Sequence, residues 1–224
     1  SSIAVVSVLA LVSRLQPSLI PEANQVAQFL DGGTSRLSYP LNYWNGLAEL
    51  IAIGLPLMLF IATTARSRFL RAASEGLMPA MGLALFFTFS RTGSIAVIAG
   101  LLVFVALSND RFPKVLALVL ATVGAGFLIA VASSKNALEA GYSGPIASDQ
   151  GDALLMLVFV TCLVVGASHA FFDWVLHEKP RPGFLRVSSG RARSASLGAL
   201  AALLTLISFF VISGRASQSW NSFK

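Results

Sequence analysis

The chain has 224 residues, 55% of them apolar and only 12% charged, with a mean hydropathy of +0.76. Soluble domains carry about 25% charged residues, so the composition excludes a soluble globular protein and indicates a multi-pass membrane protein whose length counts helices. The net charge of +6 does not point to nucleic acid, because no basic stretch is interleaved with aromatics and membrane proteins gather Lys and Arg in cytoplasmic loops.

The chain starts at Ser-Ser without a methionine or a basic leader and stops at "SQSWNSFK", as expected of an internal piece of a longer protein. Residues 2–12 read as the tail of a spanning helix. Residues 14–44 are polar enough for a loop, within which "PEANQVAQFLDGG" reads as a short surface helix opened by Pro21 and stopped by Gly32–Gly33. Ile20, Val26, Phe29 and Leu30 suit the bilayer interface. Residues 46–64 form the next span, with a kink expected at Gly54–Pro56, and a basic loop with Arg66, Arg68 and Arg71 follows.

The run 77–107 is the most informative. Arg91 is its only charged residue, and an arginine at the centre of a span costs about 2.5–3.5 kcal/mol. As one helix the run would be about 46 Å long, against a hydrocarbon core of about 30 Å. Further spans are expected at 115–132, 153–175 and 196–213, separated by "SSKNALEAGYSGPIASDQGD" and by a basic loop with Lys179, Arg181, Arg186, Arg191 and Arg193. Cys162 allows no intrachain disulfide and no thiolate metal site, which leaves core packing.

Loop charge decides how the run 77–107 is laid out. If it crosses and returns as segments 77–89 and 94–107, the loops at 65–76, 108–114 and 176–195 share one side with 3, 2 and 5 Lys or Arg, against 5 opposite. A single crossing gives 6 against 9, or 9 against 6 when inverted. The two-segment layout fits the positive-inside rule best. It places a helix break at Ser90–Gly93 on the external side, with Arg91 in it and Arg36 and Arg215 near span ends on the same side. A broken helix exposes backbone groups that surrounding protein or a wet cavity must satisfy. The N–H groups of Thr92–Ser94 would add the positive end of a helix dipole. Guanidinium groups hold phosphate bidentately, so this cluster suits an anion, and two or three arginines suit a diphosphate.

Four patches carry a family resemblance: "SRLQP" (13–17), "RLSYPLNYWNGLAEL" (36–50), "FTFSRTGSIAVIAGLLV" (87–103) and "GRASQSWNSFK" (214–224). Together they resemble the O-antigen ligase and polymerase family of bacterial membrane enzymes. The resemblance implies an all-α integral-membrane bundle similar to integral-membrane glycosyltransferases, one domain over residues 1–224, in the cytoplasmic membrane. It also implies transfer of a glycan from an undecaprenyl-diphosphate carrier to a glycan, lipid or protein acceptor on the outer face, without metal or cofactor. Arg91 then matches the Ser-Arg element that grips the diphosphate, and Arg36 and Arg215 match its flanking arginines. The implied catalytic base is a histidine in a large external loop beyond Lys224. The family often has Gly directly after the Ser-Arg pair, whereas here Thr92 precedes Gly93.

Each of these residues also has a plainer reading. Arg91 can pair with backbone carbonyls at a kink. Arg36 can anchor the interface beside Tyr39, Tyr43 and Trp44, and Arg215 can snorkel from a span end. Asn45 and Glu49 lie one turn apart at the outer end of their span; Asn45 is a substrate-binding candidate or a helix-to-helix hydrogen bonder. His169 is expected to pack between helices and His177 to be solvated. Dinucleotide and P-loop glycine patterns are absent. The rival functions are a transporter or flippase for an anionic or lipid-linked substrate, and a structural membrane subunit.

Overall fold

A computed structural model describes residues 2–20, 33, 35–108, 111–140 and 145–178. Among them the backbone is helical and no strand occurs: α1 Ser2–Leu15, α2 Trp44–Thr64, α3 Arg68–Thr88, α4 Arg91–Leu107, α5 Phe112–Ala132, the short α6 Asn136–Ala140 and α7 Pro145–Glu178. The expected surface helix from Pro21, the basic loop 179–195, the span 196–213 and Arg215 lie outside the described residues.

Three segments are long and apolar enough to cross a membrane: Trp44–Thr64, Phe112–Ala132 and Ile146–Val175; α1 and α4 are shorter apolar helices. Helices suit such a chain because a backbone in lipid must satisfy its own polar groups. Successive long helices alternate in direction along the chain. On α2 and α4, Ala48 meets Gly93, Pro56 meets Gly100 and the Phe60 ring meets that of Phe104, so these two run parallel. Helix α3 runs opposite to α2, with Met81 against Gly54. Helix α5 runs with α3, through Pro79 on Gly124 and Gly82 on Ala125, while α7 returns through Cys162 on Gly76 and Arg71 on Asp173.

This alternation gathers two sets of connections. One end holds the α3–α4 break, the loop 33–43 and the α5–α6 turn; it carries Arg14, Arg36, Arg91 and Lys135. The other end holds the α2–α3 and α4–α5 turns, with Arg66, Arg68, Arg71, Arg111 and Lys114. We call these the Arg91 end and the Arg71 end.

Several boundaries differ from expectation. Helix α3 starts at Arg68 rather than 77, because Ser67 caps it by accepting the Leu70 N–H. Most of the expected loop 65–76 is therefore helix. The break falls at Phe89–Ser90, just before the expected Ser90–Gly93. Helix α2 runs on past Pro56. Helix α7 begins at Pro145, eight residues before 153, and Gly151 lets its first turns lie directly on the Leu15 carbonyl.

Helix α3 is the centre of the bundle, packing on α1, α2, α5 and α7. Its Met78, Met81, Leu83 and Phe87 are buried among Leu47, Ile51, Met58 and Leu59 of α2, Leu118 and Leu128 of α5 and Leu154 of α7. Small residues bring the backbones together: a side chain on Gly76 would meet the Cys162 carbonyl at 2.6 Å, and one on Gly166 the Ala72 carbonyl at 2.8 Å. Outward faces are apolar too, with Ile53, Val103, Val123, Met156 and Phe159 all exposed. That is the pattern of a bundle whose solvent is lipid.

Candidate functional site

The helix break is built by the hydroxyls of "TFSRTGS". Helix α3 ends where Phe89 takes a left-handed conformation, φ 51° and ψ 28°, with its N–H on the Phe86 carbonyl. A left-handed non-glycine residue reverses the chain at some steric cost. Thr88 Oγ1 donates to the Leu85 carbonyl at 2.6 Å and accepts the Ser90 N–H at 3.2 Å. Ser90 then caps α4, its Oγ accepting the Gly93 N–H at 3.2 Å, while Ser94 Oγ donates back to the Ser90 carbonyl at 2.9 Å. Thr92 Oγ1 lies 3.1 Å from Ser90 Oγ. The Thr88 and Ser90 hydroxyls satisfy backbone N–H groups that the break would otherwise leave open, while Ser94 Oγ adds a second donor to a Ser90 carbonyl that already accepts the Ser94 N–H.

Arg91 is the first residue of α4 and is exposed. Its guanidinium has no ion-pair or hydrogen-bond partner among the described residues. It does not pair with kink carbonyls, which was the plain alternative for it. A free cation at a capped helix N-terminus adds its charge to the positive end of the helix dipole.

The other arginines of this end are held. Arg36 is half-buried, with its guanidinium over the Trp44 ring at 4.9 Å from the centroid. Its loop is tied to the break by the Leu37 N–H donating to the Phe87 carbonyl at 2.8 Å. Asn45 is half-buried at the start of α2 and donates to Tyr43 Oη at 3.4 Å; it lies one turn from Ala48, which Gly93 touches. The fold thus brings Arg91, Arg36 and Asn45 to one end of the bundle. Glu49 is exposed there as well, as is Asp152 on α7, which accepts from Gln16 Nε2.

Arg14 is the residue that sequence reasoning passed over, counting it only as loop charge. It is buried, donates from Nη2 to the Ser35 carbonyl at 2.5 Å and lies 5.5 Å from the Phe87 ring centroid. It pins the 33–38 segment to the end of α3. The available signal was its place in the last turn of α1 within "SRLQP".

At the Arg71 end, His169 is buried with Nε2 3.0 Å from the Ala62 carbonyl, a contact between α7 and α2. Among the described residues no three His, Cys, Asp or Glu side chains gather as a metal ion requires. No known protein family, curated protein or solved structure matches the chain. Among the described residues, fold and site define a class: an all-helical bundle with membrane-length apolar helices and an arginine without a partner at a capped helix break.

Proposed function

We propose that the protein transfers a glycan from a polyprenyl-diphosphate carrier to an acceptor at the outer face of the cytoplasmic membrane, as the resemblance to O-antigen ligases and polymerases implies. The observation that carries this reading is Arg91, unpaired and exposed at the N-terminus of α4. The diphosphate is the leaving group, so a fixed cation beside it stabilises the charge that develops as the anomeric carbon–oxygen bond breaks. Arg36 supplies a second cation from the same end, and Asn45 a polar contact. A general base takes the acceptor hydroxyl proton as that oxygen attacks.

The test is undecaprenyl-diphosphate binding to the purified full-length protein, comparing wild type, Arg91→Ala and Arg91→Lys. Strong weakening in Ala and partial weakening in Lys, with the fold intact, supports the reading. Equal binding in all three defeats it.

A second reading, a carrier for an anionic or lipid-linked substrate, draws on one observation: the fully buried carboxyl of Glu75, a residue type that marks ion and proton pathways inside membranes. A carrier must expose position 91 to both sides in turn, whereas the transferase exposes it to one.

A further inference from the structure

The Arg71 half of the bundle holds a carboxyl group for which the transferase chemistry has no use. Glu75 lies two turns above Arg68, about 10 Å along α3 at 1.5 Å per residue, and is 0% exposed. Neither of its oxygens has a hydrogen-bond partner among the described residues. It sits against the backbone of Ala121 on α5, where α3 also packs on α7. An ionised carboxylate buried without a partner is among the most costly groups a fold can hold, and taking up a proton removes that charge.

The groups around it do not supply a counter-ion. On α3, one turn away, the Arg71 guanidinium is taken by Asp173 of α7 at 2.7 Å. His169, one turn from Asp173, is on the Ala62 carbonyl, and Cys162 is a free thiol. On α5 the one charged residue is Lys114, two turns before Ala121. The charged residues of α1, α2 and α4 are Arg14, Glu49 and Arg91, all at the other end.

Glu75 lies nearer the Arg71 end, seven residues from Arg68 and thirteen from Thr88 along α3. The helices pack closely on either side of it: a side chain on Gly82 would meet Ala125 at 2.9 Å, and one on Gly166 would meet the Ala72 carbonyl at 2.8 Å. Towards the Arg71 end, the Arg71 and Asp173 side chains keep 14% and 12% of their surface exposed. This pair, one turn from Glu75, is the charged surface past which water would reach the carboxyl.

We propose that Glu75 is an intramembrane proton-binding site that exchanges with water at the Arg71 end, past the Arg71–Asp173 pair. In loading, a hydronium ion breaks one O–H bond, an O–H bond forms on a Glu75 oxygen, and water remains. Unloading is the reverse, and no electron is transferred. Because the Arg71 end is the nearer one and carries the charged pair, the proton leaves by the way it came. The carboxyl is a one-sided proton store that reads the pH at the Arg71 end. It rests on observations separate from those at Arg91 and stands or falls without the transferase reading.

Infrared spectroscopy of the full-length protein in lipid vesicles tests this. The expected result at neutral pH is a carboxylic-acid carbonyl band that is lost in Glu75→Gln, survives in Asp173→Asn and shifts in deuterated water. Where Glu75→Gln does not fold, isotope-labelled wild type narrows the band to glutamate, of which Glu75 is buried and Glu49 exposed among the described residues: labelled glutamate must move the band and labelled aspartate must not. The absence of a Glu75-dependent band means an ionised carboxylate held by a cation, and overturns the proposal. A band that does not shift in deuterated water overturns the exchange. Replacing the ion pair by Arg71→Leu with Asp173→Leu is expected to slow the shift, and an unchanged rate overturns the route.

Discussion

Gly93 at the start of α4 lies so close to Ala48 of α2 that a side chain on Gly93 would occupy the space of the Ala48 methyl. This contact presses the first turn of α4 onto the first turns of α2 and so fixes where Arg91 emerges. Gly93→Val is therefore expected to destabilise the protein by about 1–3 kcal/mol, the usual range for overpacking, and to displace Arg91. Gly126 has open space around it, and Gly126→Ala is expected to stabilise by about 0.5–1 kcal/mol through helix propensity alone. Thermal melts of the two variants in the same detergent check the contrast.

Ser90 separates capping from anion binding. Its Oγ accepts the Gly93 N–H, so Ser90→Ala is expected to cost about 1 kcal/mol of stability. Ser90→Asp keeps an acceptor at the cap and retains the stability. It also places a negative charge beside Arg91, and a diphosphate is then repelled. Melting temperature and undecaprenyl-diphosphate binding, measured on both variants, must part in this way. Parallel losses in both assays would make the break a purely structural joint.

Arg14 and Arg36 are expected to fail differently. Arg14 is buried with a carbonyl partner and an aromatic face, so Arg14→Ala leaves the Ser35 carbonyl without its donor. A charged hydrogen bond is worth about 1.5–3 kcal/mol, and a loss of that size is expected, with faster proteolysis around residues 35–43. Arg36 is half-buried on the Trp44 ring. Arg36→Ala forfeits only a cation–π contact of about 0.5–1 kcal/mol, and its larger effect is expected on donor binding.

The sequence carried the helix break because the run 77–107 is too long for one crossing and too short for two with a loop between them. It also carried the residue at the break, since a lone charge in a run of 31 residues needs a reason. The start of α3 was hidden for the opposite cause. Arg68, Arg71 and Glu75 look like loop charge until Asp173, 102 residues away from Arg71, takes the Arg71 guanidinium. Arg14 was hidden in the same way, because its partners Ser35 and Phe87 lie on other segments. Polarity along α7 concealed its first two turns, where Gln16 meets Asp152 across 136 positions. Local pattern reports length and apolar character; the partner of a buried charge is a long-range fact.

The Arg71–Asp173 pair joins α3 to α7 at 2.7 Å with both side chains largely buried. Removing Arg71 takes this counter-charge from the largely buried Asp173, so Arg71→Ala is expected to destabilise by about 3 kcal/mol, near the range for breaking buried pairs. Removing both as Arg71→Leu with Asp173→Leu is expected to recover most of that loss, because apolar side chains there need no counter-charge. A double-mutant cycle on melting temperatures measures the coupling, and additive losses would show that the pair is solvated rather than buried.

Sidedness is the last expectation, and it follows from charge and helix direction together. The Arg71 end carries Arg66, Arg68, Arg71, Arg111 and Lys114 beside the turns that join α2 to α3 and α4 to α5, which the positive-inside rule assigns to the cytoplasm. The α3–α4 break and Lys135 then face outward. With Cys162→Ser removing the only thiol, single cysteines at positions 91 and 135 are expected to react with a membrane-impermeant reagent added to intact cells. Those at positions 66 and 111 are expected to react only after the membrane is opened. Labelling of position 91 from the cytoplasmic side alone would put the arginine opposite the carrier-linked glycan and remove the physical basis of the transferase reading. Labelling from both sides would favour a carrier, because a fixed bundle with alternating helices offers position 91 to one side only.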